Sequence, residues 1–154
     1  MKKTLFLLVS VTSLLYVKAQ QPDPWKITAT SINPAGYYGI TVANGMIGIV
    51  SSPEPFKVKD VVLAGAYDLY GRGRVSNFLR SFNLLNMTLD IDGRRLDGKT
   101  VSNMKQQLDM KGASFTTSFD YVDKSTVSYT YYSLRNLSYT VLMDVAKKKK
   151  KDIT

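Results

Sequence analysis

The chain offers few groups with which to do chemistry. It contains no histidine and no cysteine, and its one glutamate, Glu54, stands between two prolines in "SSPEPF". Cleaving a glycosidic bond with two carboxylates requires one acid of raised pKa and a partner several ångström away. The neighbours of Glu54 predict an exposed loop with too little apolar surface to raise it. Serines are plentiful, but no histidine can activate one and no "GxSxG" occurs. A zinc-type site lacks its ligands. Asp90 and Asp92 in "LDIDG" fall on one strand face, where a weak calcium site competes with a solvated strand end; the second reading is preferred. "GRGR" (Gly71 to Arg74) lacks the Lys-Ser/Thr ending of a phosphate loop. No metal and no cofactor are expected.

Aromatic residues are the remaining candidates. Ten tyrosines and one tryptophan could stack on sugar rings. Alternation places Tyr129, Tyr131 and Tyr139 in a core. Trp25, Tyr37, Tyr38, Tyr67 and Tyr70 lie in less regular sequence and are the better surface candidates.

The elements that would position these groups are strands. Met87, Leu89 and Ile91 alternate with polar residues before Asp92-Gly93, a hairpin signal because both residues tolerate positive φ. Ala113, Phe115, Phe119 and Tyr121 alternate with Ser114, Thr116, Ser118 and Asp120 after a Lys111-Gly112 turn. Val127, Tyr129 and Tyr131 share a face, with a phase shift expected at Tyr132 and Leu134, as a bulge would give. Tyr139, Val141, Met143 and Val145 form the next face. Upstream, Asn44-Gly45 divides two apolar stretches. Gly39 and Gly48 interrupt strand-like sequence, which calls for close backbone approach or a bulge. The whole reads as roughly seven to nine strands with one apolar and one Ser/Thr/Asp-rich face. The expected fold is all-β, an antiparallel β-sandwich, with a closed barrel as the alternative.

Residues 1–19 read as a signal peptide: a basic "MKK", an apolar run too short to span a bilayer, and "VKA" before Gln20. Cleavage between Ala19 and Gln20 would yield a secreted or periplasmic bacterial protein with no membrane association. The absence of cysteine fits such a protein if its core alone holds it together. The sequons at Asn86 and Asn136 are read as chance matches. The formal charge of +9 is misleading. Without the signal lysines Lys2, Lys3 and Lys18, the run Lys147 to Lys151 and Asp152, the net charge is +2. No basic stripe remains for nucleic acid. The lysine run itself reads as a solvated turn or tail.

Four segments in order, "YYGITVANGMIGIVSS", "VVLAGAYD", "MTLDIDGRRLD" and "KQQLDMKGASFTTSFDY", resemble the N-terminal domain of glycoside hydrolase family 65. The likeness spans Trp25 to Val145. It implies a β-sandwich of the galactose-mutarotase-like (supersandwich) type, present here incompletely over residues 20–154. It also implies that the catalytic (α/α)6 barrel of this family of α-glucosidases and phosphorylases is absent. Full-length members are expected to associate as homodimers. No catalytic residue can be carried over, and the arginine usual after "LDM" is replaced by Phe115, Thr116 and Thr117. Loops of this domain approach the barrel's active-site mouth in the family, so the implied sugar-binding candidates are Tyr67, Asp68, Tyr70, Arg72 and Arg74. The ligand would be an α-glucoside, bound weakly. A free-standing carbohydrate-binding module and a purely structural secreted β-domain are the alternatives.

Overall fold

The computed structural model describes residues 23–68, 77–80, 83–122 and 124–149. Its strands are β1 (Lys26–Ala29), β2 (Thr41–Ala43), β3 (Ile47–Ser51), β4 (Val58–Asp68), β5 (Asn77–Arg80), β6 (Asp90–Ile91), β7 (Arg94–Arg95), β8 (Val101–Asp109), β9 (Ser114–Tyr121), β10 (Ser125–Ser133) and β11 (Val141–Lys149). A 3-10 turn, Pro34–Gly36, is capped by the Asn33 side chain. Two antiparallel sheets result, one ordered β1-β8-β9-β10-β11 and the other β2-β3-β4-β5, with β6-β7 as a separate ribbon.

The sheets face each other as a sandwich because their periods agree. From the larger sheet, Phe115, Phe119 and Tyr121 of β9 and Val127, Tyr129 and Tyr131 of β10 point inward and are buried. From the smaller sheet come Val42, Ile49, Val58 and Val61, joined by Phe56. Each such side chain contributes about 1.5–3 kcal/mol on leaving water. Phe56 lies over Tyr129 with ring centroids 4.4 Å apart and meets Phe119 edge-on at 6.2 Å. The outward face of the larger sheet keeps the hydroxyl pattern of the sequence, with Thr116 and Thr130 bonded across the strands at 2.9 Å.

The expected turns form. Gly45 takes φ 91° and Asp92-Gly93 takes φ 51° and 73°. Asn44 does more than turn the chain. Its Oδ1 accepts from the N–H groups of Met46 and Ile47, while its Nδ2 donates to the carbonyls of Leu134 and Leu137. One side chain thus ties the β2-β3 hairpin to the connection after β10. At Gly39 a Cβ would fall 2.8 Å from the Ser51 carbonyl oxygen and 2.4 Å from Val50 Cγ1. Glycine stands there because two backbone segments approach closely.

Some expectations are corrected. No bulge occurs at Tyr132 and Leu134: β10 pairs with β11 in unbroken register from Ser125 to Ser133. Ser133 takes the inward position instead, its hydroxyl facing the Val42 carbonyl at 3.5 Å. Ala113 does not join the inward face of β9 but sits exposed in the preceding turn at φ 47°. Tyr139 is not in the core. It sits in a turn at φ 57° and is half exposed. Lys147 to Lys149 form neither a turn nor a tail but extend β11 against Val127, Thr126 and Ser125. Met87 and Leu89 keep their alternating burial without joining a ladder, since the Met87 N–H bonds to the Phe56 carbonyl. The bulges fall elsewhere, between Val50 and Ser51, between Val62 and Tyr67, and between Ser102 and Lys105.

Candidate ligand cleft beside Glu54

The residues singled out for sugar recognition divide. Tyr67 and Asp68 end β4, paired with Phe78 and Asn77 of β5. Tyr70, Arg72 and Arg74 lie outside the described residues. Of the other aromatic candidates, Tyr38 and Trp25 are exposed, whereas Tyr37 is half-buried and committed to a polar network. Asp90 is bonded to Arg95 at 3.4 Å.

That network links the two sheets. Gln106 of β8 points inward and is buried, as is Ser51 of β3. The Tyr37 hydroxyl lies 2.6 Å from Ser51 Oγ and 2.7 Å from Gln106 Oε1. An amide oxygen can only accept, so Tyr37 donates to Gln106 and Ser51 must donate to Tyr37. Ser51 Oγ in turn accepts from the Ile40 N–H at 2.7 Å, and Gln106 Nε2 donates to the Ser52 carbonyl at 2.9 Å. Each side-chain polar atom of this network finds a partner, as burial demands. Burial raises the Tyr37 pKa above its usual value, while the bonds from Ser51 and Gln106 oppose that rise.

The network holds the loop that carries Glu54. Gln106 fixes the Ser52 carbonyl. Ser52 Oγ accepts from the Glu54 N–H at 3.1 Å. At the loop's far end the Phe56 N–H donates to the buried Tyr129 hydroxyl at 3.1 Å. Phe56 is held at φ 57°, a region costly for a bulky residue. Pro55 and Phe56 are buried while Glu54 between Pro53 and Pro55 stays exposed. The smaller sheet supplies this loop, and two side chains of the larger sheet anchor it.

Glu54 borders a cleft of 450 Å³ between this loop, the segment around Ile32 and Pro34, and the start of β8 at Ser102 to Met104. The β8 bulge occurs there, with Asn103 at φ 53°. Asn103 is braced by its Nδ2 donating to Asp120 Oδ2 at 3.0 Å, while Asp120 Oδ1 accepts from Thr126. Among the described lining residues Glu54 carries the only charge. The sequence reading placed Glu54 correctly in an exposed loop but missed the cleft. The one available sign was the shared parity of Gln106 and Leu108, which puts a glutamine on the inward face.

The network yields a stability test. Gln106→Leu keeps the volume but leaves the Tyr37 hydroxyl without its acceptor and the Ser52 carbonyl without its donor. Each orphaned buried group costs about 1–3 kcal/mol, softened at Tyr37 by partial access to water. Urea unfolding should show that loss against wild type. A change below about 0.5 kcal/mol, the range of surface substitutions, would show that the network bears no load.

Comparison with known proteins gives a consistent result. Residues 39–142 match the family described as "Glycosyl hydrolase family 65, N-terminal domain". A kojibiose hydrolase of Mucilaginibacter mallensis is 64% identical over 141 residues, covering 92% of this chain and 21% of that protein. A kojibiose hydrolase of Flavobacterium johnsoniae is 50% identical over 147 residues, covering 96% of this chain and 21% of its own length. The chain therefore spans about a fifth of the length of these curated relatives.

Proposed function

This chain belongs to the glycosyl hydrolase family 65 N-terminal domain family, and from that membership we propose that it forms the non-catalytic β-sandwich part of an exported enzyme acting on α-glucosides such as kojibiose. The carrying observation is the identity with two kojibiose hydrolases across nearly the whole chain but only 21% of each relative. The complete architecture is taken to be a supersandwich followed by the catalytic barrel.

The state of the carboxylates supports the assignment of catalysis elsewhere. A glycosidase's general acid needs a raised pKa. Asp97 is instead held below the usual carboxylate range by the Lys99 and Thr100 N–H groups, and Asp109 by the Gly112 N–H. Asp90 is engaged by Arg95, and Asp120 by Asn103 and Thr126. These acids fasten turns and strands. Export through the leader at residues 1–19, a secreted or periplasmic location and a homodimeric whole enzyme belong to the same proposal. So does weak α-glucoside contact through the loop of Tyr67, Asp68, Tyr70, Arg72 and Arg74.

The test uses the chain alone and a chimera in which it replaces the matching fifth of the Mucilaginibacter protein. The chain alone should release no glucose from kojibiose, and the chimera should release it. Turnover by the chain alone that disappears in Glu54→Gln would overturn the non-catalytic assignment. A folded but inactive chimera would overturn the family role. The intact mass of the exported product should begin at Gln20; retention of Met1 would refute cleavage.

A further inference from the structure

We infer that the cleft beside Glu54 is a binding site for a small neutral saccharide, a proposal independent of the hydrolytic reading and of the contact proposed through Tyr67, Asp68, Tyr70, Arg72 and Arg74. At 450 Å³ it falls within the ~300–1,000 Å³ typical of ligand clefts. Its lining combines the apolar residues Ile32, Pro34 and Met104 with the polar residues Glu54, Ser102 and Asn103, the Asn103 Nδ2 being already committed to Asp120. That mixture suits a pyranose, whose C–H face lies on apolar side chains while its hydroxyls donate to a carboxylate. A carboxylate acceptor forms hydrogen bonds roughly twice as strong as a neutral one.

The chemistry argues against charged ligands. An anion would meet Glu54 with no cation among the described lining residues. A simple cation would gain only an exposed ion pair, worth about 0–1 kcal/mol, and would leave the apolar walls unused.

The site is preorganised, and that is what distinguishes it from an ordinary surface dip. Glu54 rides on a loop fastened at Ser52 by buried Gln106 and at Phe56 by buried Tyr129. The opposite wall is a bulge braced through Asn103 and Asp120. Bulges and left-handed non-glycine residues are retained where surrounding structure holds them, and they concentrate at binding sites. Here both anchored walls border one cleft.

The test is an amide chemical-shift titration of the full chain with D-glucose and with kojibiose. Shifts should concentrate at residues 30–33, 54 and 98–104. Glu54→Gln, at an exposed position whose carboxylate makes no bond to the described residues, should weaken binding about tenfold. Gly98→Leu should abolish it, because a Cβ at Gly98 meets nothing within 4 Å and the longer side chain can enter the cleft without disturbing the core. The absence of shifts, shifts unaffected by both variants, or a stronger response to ethylammonium would overturn the site. So would a collapsed spectrum, since the cleft exists only if its three segments are docked. Shifts confined to residues 67–76 would overturn this site while supporting the loop of the preceding section, so the two can be told apart.

Discussion

Phe119→Ala is expected to destabilise the sandwich by about 3–5 kcal/mol, enough to unfold much of the population. Phe119 is 1% exposed and lies between Val127 on the neighbouring strand and Phe56 on the facing loop. Its removal takes away a large apolar contact area and leaves a void that β9 cannot close, because its ladder to β8 and β10 holds it on both sides. Against a typical domain stability of about 5–15 kcal/mol the loss is decisive. Ser118→Ala, one residue away on the opposite face, should shift stability by no more than about 0.5 kcal/mol. Urea denaturation monitored by circular dichroism would separate the two. Similar midpoints for both variants would mean that β9 does not present Phe119 to a packed core.

Alkaline pH should unfold the protein through Tyr129 and Tyr131. Burial raises both hydroxyls above the ordinary tyrosine value, and for Tyr131 the neighbouring Tyr129 adds to the rise. The Tyr131 hydroxyl is buried without a hydrogen-bond partner among the described residues, so nothing there stabilises its phenolate. In the unfolded chain a tyrosine ionises near pH 10. A folded-state pKa above that value means the unfolded state loses its proton first. The stabilising contribution is therefore complete below about pH 10 and falls as pH rises toward the folded values. The slope is about 1.4 kcal/mol per pH unit for each such tyrosine. Urea midpoints measured from pH 8 to 12 should hold steady and then drop. Tyr131→Phe should be neutral or stabilising at pH 8, since it removes a hydroxyl with no partner among the described residues, and should reduce the alkaline slope without abolishing it, because Tyr129 and Tyr37 are also raised. Tyr129→Phe should cost stability at every pH by depriving the Phe56 N–H of its acceptor. A flat profile through pH 12 would mean that water reaches these hydroxyls.

The sequence by itself determined the strand class, the hairpins at Asn44-Gly45, Asp92-Gly93 and Lys111-Gly112, the inward set on β9 and β10, and the family. These are local properties: positive φ favours a few residue types, and a period of two assigns faces without knowledge of the partner sheet. Tertiary structure decided the rest. Gln106 and Gln107 are identical neighbours, yet Gln106 is buried against Tyr37 while Gln107 bonds to Thr28 on the opposite face. Parity separates them, but the groups that satisfy Gln106 come from distant strands. Tyr139 has the composition of a core residue and is turned out by its backbone. The lysine run has the composition of a tail, but β10 offers Lys147 to Lys149 an edge to pair with, and these three residues stay exposed there. Glu54 was legible as an exposed residue. Its cleft depends on anchors from the opposite sheet, and the alternation of one strand carries no information about which residue of another sheet will meet it.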